Sequence, residues 1–381
     1  MFNKIFLGIL LIVGFSCGKS QDAAKVETIP YTIDSVVVDA KGEILYLEYG
    51  LLNSDYCQQD GFLYNYSEFD HSIEKIDLDR LELVEKFPLQ KEGPNGTGWV
   101  FTVKSMGNGK LFVAGQLSGV FTLEGKLVKK FDWNKIPRAA GGIATEEYVK
   151  QQVANPYFEN LAFALVIDNL TNRISLKKLK TTDTLISSYE IDPDGNYKKY
   201  TLGDLTTYNR WDPGVFMASE RDKIIVSHQF SNDFYVYSPE NDDLQQVTYS
   251  SQHTPSKVTI ATEGDFINSI EDRINALESY YEQVSFGPLV WDLQNKRYLR
   301  LSSSSRFGEE KRERRLLHET TNIDVFLSVF DLEFNLLSEI PIPELNIKPA
   351  SKYFMKDGML WVFKNREDEM GFVILDIQGN S

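Results

Sequence analysis

Hydrophobic and polar residues alternate along most of this chain over short stretches, a pattern typical of half-buried β-strands. The stretches are rich in Val, Ile, Leu, Tyr and Phe and are separated by Asp-Gly, Asn-Gly and Gly-Lys turns. They form six similar units, which begin at Asp60, Asn108, Phe158, Arg221, Asn295 and Asp357. Because a unit of roughly three or four strands cannot bury both faces of its own sheet, the repeats predict an all-β fold, a six-bladed β-propeller.

The two ends of the pattern complement each other. An early strand at residues 31–39 precedes the first unit, and the last unit stops soon after its third strand. We therefore expect residues 31–39 to pair with residues 371–377 as the outer strand of the final blade. Such an N-terminal strand closes the ring and covers a sheet edge that would otherwise be exposed.

Two segments depart from the strand pattern. Residues 144–154 and residues 264–284 are rich in helix-forming residues, and the second has apolar residues at positions 266, 267, 270, 274, 277 and 281. That spacing is close to the 3.6-residue period of an amphipathic helix. Both segments are predicted as short helical insertions, which either contribute to a binding face or cap a gap between blades.

The N-terminus has the features of an export signal. Lys4 precedes an apolar run at residues 5–15, and Ser16 and Cys17 follow it. The run is too short to cross a hydrocarbon layer of roughly 30 Å, so it is interpreted as a signal peptide and not as a membrane span. Residues 14–17 (Gly-Phe-Ser-Cys) resemble a bacterial lipobox, in which the cysteine thiol is acylated and the chain is cut before it. The alternative is a cysteine that follows a signal cleaved elsewhere, because phenylalanine is unusual at position 15.

The lipobox divides the chain into three parts. Residues 1–16 are expected to be a lipoprotein signal peptide, residues 17–28 a flexible tether, and residues 29–381 a single β-propeller domain. Of the two cysteines in the chain, Cys17 would carry the lipid. Cys57 would then be the one remaining thiol, and we expect it to be packed as a small hydrophobic residue.

The charge balance limits the possible partners. The chain contains 55 Asp and Glu against 40 Lys and Arg, for a formal net charge of −15. Nucleic-acid binding depends on positive charges that neutralise phosphates, so nucleic acid is not expected as a partner. The expected partners are a membrane, through the N-terminal lipid, and a protein, peptide or glycan ligand.

The repeats resemble a known kind of protein. Residues 92–128 (EGPNGTGWVFTVKSMGNGKLFVAGQLSGVFTLEGKLV) resemble NHL-type propeller repeats in their turns and hairpins. Together with the lipobox, residues 70–79 and residues 284–301, they make the chain similar to Bacteroidetes lipoproteins of unknown function with TolB-like or NHL-like six-bladed propellers. The resemblance implies a lipid-anchored location in the bacterial cell envelope, at the outer membrane on either its periplasmic side or the cell surface, and it transfers no catalytic residue.

Motifs for catalysis or for a bound cofactor are absent from the sequence. The four histidines are far apart, and no HxH, HExxH or CxxC spacing occurs, so neither a metal site nor a cofactor is expected. His71 and His318 are expected to be solvated, and the serine run at residues 302–305 to form a loop. The Gly-rich residues 92–98 lack the Lys-Ser/Thr ending of a phosphate-binding loop and are expected to connect two blades.

One segment is a candidate recognition patch. Residues 209–214 (NRWDPG) combine a cation, a large aromatic ring and a carboxylate before a rigid turn, so Arg210, Trp211 and Asp212 are candidate ligand-binding residues. Arg and Trp can equally stack on a surface without a ligand. The leading hypothesis is a membrane-tethered binding propeller that is not an enzyme. The alternative is a hydrolase or lactonase with a metal in the axial funnel, because six-bladed propellers also host such enzymes.

Overall fold

The computed structural model describes residues 29–203, 211–259, 269–311, 316–347 and 351–378. These residues form six four-stranded antiparallel sheets, which are the blades of the predicted propeller. The all-β, six-bladed architecture is confirmed. Within the described ranges, no helix is long and apolar enough to cross a membrane. The segments predicted to be a signal peptide and a tether, and Cys17 with them, lie outside the described residues.

Each blade contains four strands. They follow one another along the chain from the centre outwards, except that the outer strand of blade 6 comes from the start of the described chain. The chain begins with β1 (Tyr31–Val37). Blade 1 contains β2 (Ser54–Tyr56), β3 (Phe62–Ser67), β4 (Ser72–Asp77) and β5 (Glu82–Pro88). Blade 2 contains β6 (Val100–Gly107), β7 (Lys110–Gly115), β8 (Ser118–Thr122) and β9 (Leu127–Phe131). Blade 3 contains β10 (Glu147–Ala154), β11 (Leu161–Asp168), β12 (Ile174–Lys180) and β13 (Leu185–Ile191).

The second half of the chain repeats this plan. Blade 4 contains β14 (Val215–Glu220), β15 (Lys223–His228), β16 (Phe234–Ser238) and β17 (Asp243–Val247). Blade 5 contains β18 (Ser285–Asp292), β19 (Arg297–Phe307), β20 (Thr320–Phe330) and β21 (Leu336–Pro341). Blade 6 contains β22 (Tyr353–Lys356), β23 (Met359–Arg366) and β24 (Glu369–Ile377). The helices are α1 (Asn196–Tyr200) and α2 (Ile270–Gln283), with short 3-10 turns at Glu48–Leu51, Trp133–Lys135 and Arg138–Ala140.

The first strand of each blade lies closest to the axis. The inner strands β2, β6, β10, β14, β18 and β22 contact one another in this order around the ring. The second, third and fourth strands of each blade lie progressively further out. Residues at the ends of the inner strands are therefore the ones that can meet at the centre.

The ring closes as the sequence predicts. β1 pairs with β24 in antiparallel register, from Tyr31 opposite Ile377 to Val37 opposite Gly371. The N-terminal strand thus becomes the outer strand of blade 6 and covers the edge of β24. The pairing joins the two ends of the described chain within one sheet.

The hydrophobic core lies between neighbouring blades. On β11, Phe163 and Leu165 pack towards blade 4 in one core cluster, whereas Ala162 and Ala164 pack towards blade 2 in another. All four side chains are fully buried. Because both faces of the strand are covered, its sequence is a continuous apolar run and does not alternate with polar residues.

One of the two predicted helices is wrong. Residues 147–154 form β10, the inner strand of blade 3, and not a helix. They pair with β11 along their whole length, with an irregularity between Val149 and Gln151. The helix propensity of these side chains is thus outweighed by the backbone hydrogen bonds that the segment forms with β11. The second predicted helix is confirmed as α2, which begins after Ser269, whose side chain accepts a hydrogen bond from the backbone N–H of Asp272 (3.0 Å).

The serine run is also not a loop. Residues 302–305 lie in the middle of β19, between β18 and β20. Ser302, Ser303 and Ser305 are buried. Small hydroxyl side chains fit where neighbouring blades approach closely, so a polar run here marks tight packing and not exposure.

The solvated positions expected for two histidines are wrong. His71 is buried, with Nδ1 at 2.8 Å from the hydroxyl of Tyr66 and Nε2 at 3.0 Å from the hydroxyl of Thr97. Burial lowers the pKa of His71. His318 is partly buried, and its Nδ1 lies 2.9 Å from a carboxylate oxygen of Glu278 in α2. Both histidines therefore fasten connecting segments to the blades.

Blades 4 and 5 are joined by a buried cation. Arg300, in β19, is only 1% exposed. Its guanidinium donates to the main-chain oxygens of Gly287 (2.8 Å), Asn232 (2.6 Å), His228 (3.0 Å) and Ser231 (3.3 Å). Three of these oxygens belong to the end of β15 and the connection that follows it, so one side chain of blade 5 fixes a loop of blade 4.

Candidate functional site

A funnel opens at one end of the propeller axis and receives residues from all six blades. Its volume is about 300 Å³. Five blades contribute residues at or just after the C-terminal end of their inner strand. We call this space the axial funnel; it is lined by residues 55–59, 104, 105, 107, 156, 157, 219–221, 290, 291, 293, 352, 354 and 355.

Three charged side chains meet at the floor of the axial funnel. The ammonium nitrogen of Lys104 lies 3.1 Å from a carboxylate oxygen of Asp55 and 3.7 Å from one of Glu220. Each carboxylate also has a backbone donor: Asp55 accepts from the N–H of Ser105 (2.8 Å) and Glu220 from the N–H of Trp291 (3.2 Å). The inner strands of blades 1, 2, 4 and 5 are thus linked by one set of hydrogen bonds.

A second lysine reaches the same floor. The ammonium of Lys352 donates to the main-chain oxygen of Ser54 at 2.6 Å. An ammonium group has three donors, and a carboxylate lies within 4.0 Å of Lys104 but not of Lys352 among the described residues. Of the two lysines at the floor, Lys352 therefore has the more hydrogen-bonding capacity left for a ligand.

The protonation equilibria of these groups reflect their surroundings. Burial lowers the pKa of Lys352, although the charge of Asp55 opposes this. Burial raises the pKa of Glu220, against the charge of Lys104. Burial alone would also lower the pKa of Lys104, but the charges of Asp55 and Glu220 outweigh it and raise that pKa. The neighbouring carboxylates thus favour the protonated form of Lys104, whereas burial disfavours the charged forms of Glu220 and Lys352.

The wall of the funnel is partly apolar. Trp291 is buried, and the guanidinium of Arg221 lies 5.3 Å from its ring centroid. Tyr157 and Leu293 are exposed at the mouth, with 63% and 59% of their surface accessible. The hydroxyl of Ser219 is buried in the wall and has no hydrogen-bond partner among the described residues. The funnel thus combines apolar contact surface with polar groups that can fix an orientation.

The structure does not bring the predicted recognition patch to this funnel. Trp211 and Asp212 precede β14, whose opposite end supplies Glu220 to the funnel. The ring of Trp211 packs edge-on against Tyr280 of α2, with centroids 4.7 Å apart. Asp212 accepts a hydrogen bond from the hydroxyl of Thr201 (3.3 Å), and Arg210 lies outside the described residues. Ligand binding by these three residues stays a prediction.

Cys57 is packed as a buried residue, as expected. Cys57 is a free, buried thiol in the wall of the funnel, and burial raises its pKa. A protonated thiol is a poor nucleophile, so Cys57 acts as a packed residue. Cys17 lies outside the described residues, and its acylation stays a prediction.

The funnel residues could not be found by scanning for motifs. Asp55, Lys104, Glu220 and Lys352 belong to four blades and are distant in sequence. The one available signal is positional, because each is a charged residue in or beside the inner strand of its blade. The Asp-Gly and Asn-Gly turns that mark the repeats precede second strands, so the inner strands carry no comparable signal.

Comparison with known proteins identifies relatives of the whole fold. A family model described as a domain of unknown function, DUF4221, matches residues 25–341. The crystal structure of a DUF4221 member from Bacteroides vulgatus has a TM-score of 0.65 at 13% identity, covering 93% of this chain and 100% of that one. A protein from Bacteroides fragilis that is described as exported has a TM-score of 0.52 at 9% identity, covering 92% of this chain and 96% of that one. No curated protein sequence matches the chain. At these identities the two structures show the fold alone.

Proposed function

Because the chain belongs to the DUF4221 family, whose fold is known but whose function is not, we propose a function from the geometry of the axial funnel. The protein is a membrane-tethered binding propeller of the bacterial cell envelope. It receives part of a protein, peptide or glycan ligand in the axial funnel and is held at the outer membrane by a lipid on Cys17. It acts by binding and not by catalysis.

The observation that carries this proposal is the unused hydrogen-bonding capacity at the centre of the ring. Lys352 donates to one backbone oxygen, and the buried hydroxyl of Ser219 lacks a partner among the described residues. Buried polar groups are normally paired. A ligand with oxygen acceptors would complete both sets of hydrogen bonds, while Tyr157 and Leu293 offer apolar contact at the mouth.

The same floor favours binding over metal-dependent hydrolysis. A divalent ion in the funnel would need oxygen ligands turned towards a shared point. Asp55 and Glu220 are the carboxylates in the lining of the axial funnel, and the ammonium of Lys104 lies within 4 Å of both. A positive charge therefore already stands where the two carboxylates would hold a metal ion.

Capture of envelope components tests the funnel as the ligand site. The full chain, immobilised beside its Lys352→Met variant, should retain an envelope component that the variant retains at least tenfold less, as measured by quantitative mass spectrometry. Lys352→Met removes the donors but keeps the length of the side chain. Lys126→Met, at an exposed turn, serves as the matched control. Equal capture by all three proteins would contradict the proposal, and turnover of a lactone or ester would favour the hydrolase.

The lipid anchor has its own test. Cells expressing the full chain and fed an alkyne-labelled fatty acid should incorporate the label into the protein, and the protein should fractionate with membranes. Cys17→Ser should abolish the label and leave the signal peptide uncleaved at this site, whereas Cys57→Ser should preserve labelling. Incorporation into Cys17→Ser would show that the lipobox interpretation is wrong.

A further inference from the structure

A second cavity lies between blades 2 and 3, at the end of the propeller opposite the axial funnel. Its volume is about 320 Å³. It is lined by residues 115–118 at the β7–β8 turn, by residues 130–134 at and just after the end of β9, and by Ile143 and the inner strand β10. We call it the interblade pocket. Glu147 and Tyr148, at the start of β10, lie in its wall, which places it at the N-terminal ends of the inner strands.

Two polar groups in the wall of the interblade pocket lack partners. The indole N–H of Trp133 and the amide oxygen of Gln152 are buried and form no hydrogen bond among the described residues. Trp133 as a whole is only 4% exposed. An unpaired buried polar group costs about 1–3 kcal/mol. One is a donor and the other an acceptor, so a group that both donates and accepts would satisfy the pair.

The charges around the interblade pocket are already paired. Asp132 lies 3.5 Å from the ammonium of Lys130 and 3.2 Å from that of Lys135. Glu147 lies 2.8 Å from the ammonium of Lys177. Each charged side chain in the wall is therefore already paired with a group of opposite charge, and an uncharged ligand is favoured.

An exposed aromatic residue is hydrogen-bonded through its main chain to the lining of the pocket. Trp99 is 63% accessible, and its main-chain oxygen accepts from the N–H of Gln116, which lines the pocket. Leu117, also in the wall, is 37% accessible. Large exposed aromatic rings beside a cavity are a feature of recognition sites. Trp99 is thus an exposed aromatic residue whose main chain is bonded directly to the lining of the pocket.

We propose that the interblade pocket binds a neutral saccharide unit. A sugar hydroxyl can accept from the indole N–H of Trp133 and donate to the amide oxygen of Gln152, and the C–H face of a sugar ring can stack on Trp99. The site is separate from the axial funnel and does not depend on the function proposed for it. A peptide backbone also offers hydrogen-bond donors and acceptors, but it has no ring that would stack on Trp99. Peptide binding is therefore the competing outcome of the test.

Binding is measured on the full chain with a panel of neutral sugars: glucose, galactose, mannose, N-acetylglucosamine and their β-linked disaccharides. Saturation-transfer NMR and tryptophan fluorescence should detect at least one of them. Gln152→Leu and Trp99→Ala should each weaken that binding at least tenfold. Tyr157→Ala, which removes an equally exposed aromatic residue from the axial funnel, should leave it unchanged. Trp133→Phe removes the N–H but keeps an aromatic ring, and it should weaken sugar binding. The weakening should exceed what a slight fall in the midpoint of thermal unfolding would explain.

Two results would overturn the proposal. The first is that no sugar binds detectably at 20 mM, which is on the order of the dissociation constants of weakly bound small ligands. The second is sugar binding that survives Gln152→Leu and Trp99→Ala but is lost in Tyr157→Ala or Lys352→Met, which would assign the sugar to the axial funnel. Binding of an uncharged dipeptide in place of every sugar would show that the ligand is a peptide.

Discussion

Replacing Arg300 with leucine should lower the free energy of unfolding by about 4 kcal/mol. The substitution leaves the main-chain oxygens of Gly287, Asn232, His228 and Ser231 without their donor in a dry interior, and each unpaired buried group costs about 1–3 kcal/mol. Part of this loss is recovered because the guanidinium no longer has to be buried. Urea unfolding of the full chain at neutral pH measures the change.

A neighbouring arginine on the same strand provides the control. Arg306 is exposed, with 71% of its side chain accessible, and pairs with Asp324 at 3.2 Å. Exposed ion pairs contribute little to stability, so Arg306→Leu should change the free energy of unfolding by no more than about 0.5 kcal/mol. Arg300→Lys should fall between the two, because an ammonium cannot reach all four oxygens. Equal effects of Arg300→Leu and Arg306→Leu would show that the buried guanidinium does not hold blades 4 and 5 together.

Acidification should destabilise the protein through His228 before most carboxylates titrate. Burial lowers the pKa of His228 to about 4, against an ordinary value of about 6.5. Below pH 6.5 the unfolded chain therefore binds a proton that the folded chain does not, so the free energy of unfolding falls as the pH falls towards 4. Between pH 7.5 and pH 5 the expected loss from this group is about 2 kcal/mol.

The pH dependence of two variants isolates this contribution. His228→Gln should unfold with a free energy that changes by about 2 kcal/mol less over the same pH range, because the titrating group is gone. His253→Gln, at an exposed histidine, should keep the wild-type pH dependence. His71, whose pKa is also lowered by burial, accounts for part of the remaining slope. Identical slopes in the wild type and His228→Gln would contradict a neutral, buried His228.

The sequence was sufficient to predict the ring and its closure, for physical reasons. Turns such as Asp357-Gly358 and Asn108-Gly109 adopt positive φ at both residues, which only a few residue types tolerate, so hairpins leave a clear signal. The early strand at residues 31–37 had an evident partner because the last unit lacked a fourth strand. Propensity was misleading at β10, since its helix-forming residues occupy an inner strand whose neighbours supply the hydrogen bonds.

Neither of the two candidate sites could be predicted from local sequence patterns. Asp55, Lys104 and Glu220 meet only because the ring brings the inner strands together, and no spacing along the chain encodes that meeting. Trp133 and Gln152 were likewise unremarked, because an unpaired polar atom can be recognised only once its neighbours are known. The composition of the segment around Trp211 predicted a recognition patch, yet the ring of Trp211 packs against α2. Composition identifies unusual residues, whereas a binding site depends on which groups are left unpaired.

The direction of β1 has a consequence for how the molecule would stand on a membrane. Tyr31 pairs with Ile377 at the end of β24, and β24 runs parallel to the inner strand β22, so the chain before Tyr31 leaves the propeller on the side where the axial funnel opens. From Cys17 to Tyr31 an extended chain reaches at most roughly 50 Å. A lipid on Cys17 would therefore be attached to the propeller on the side of the axial funnel, with the interblade pocket at the far end of the molecule.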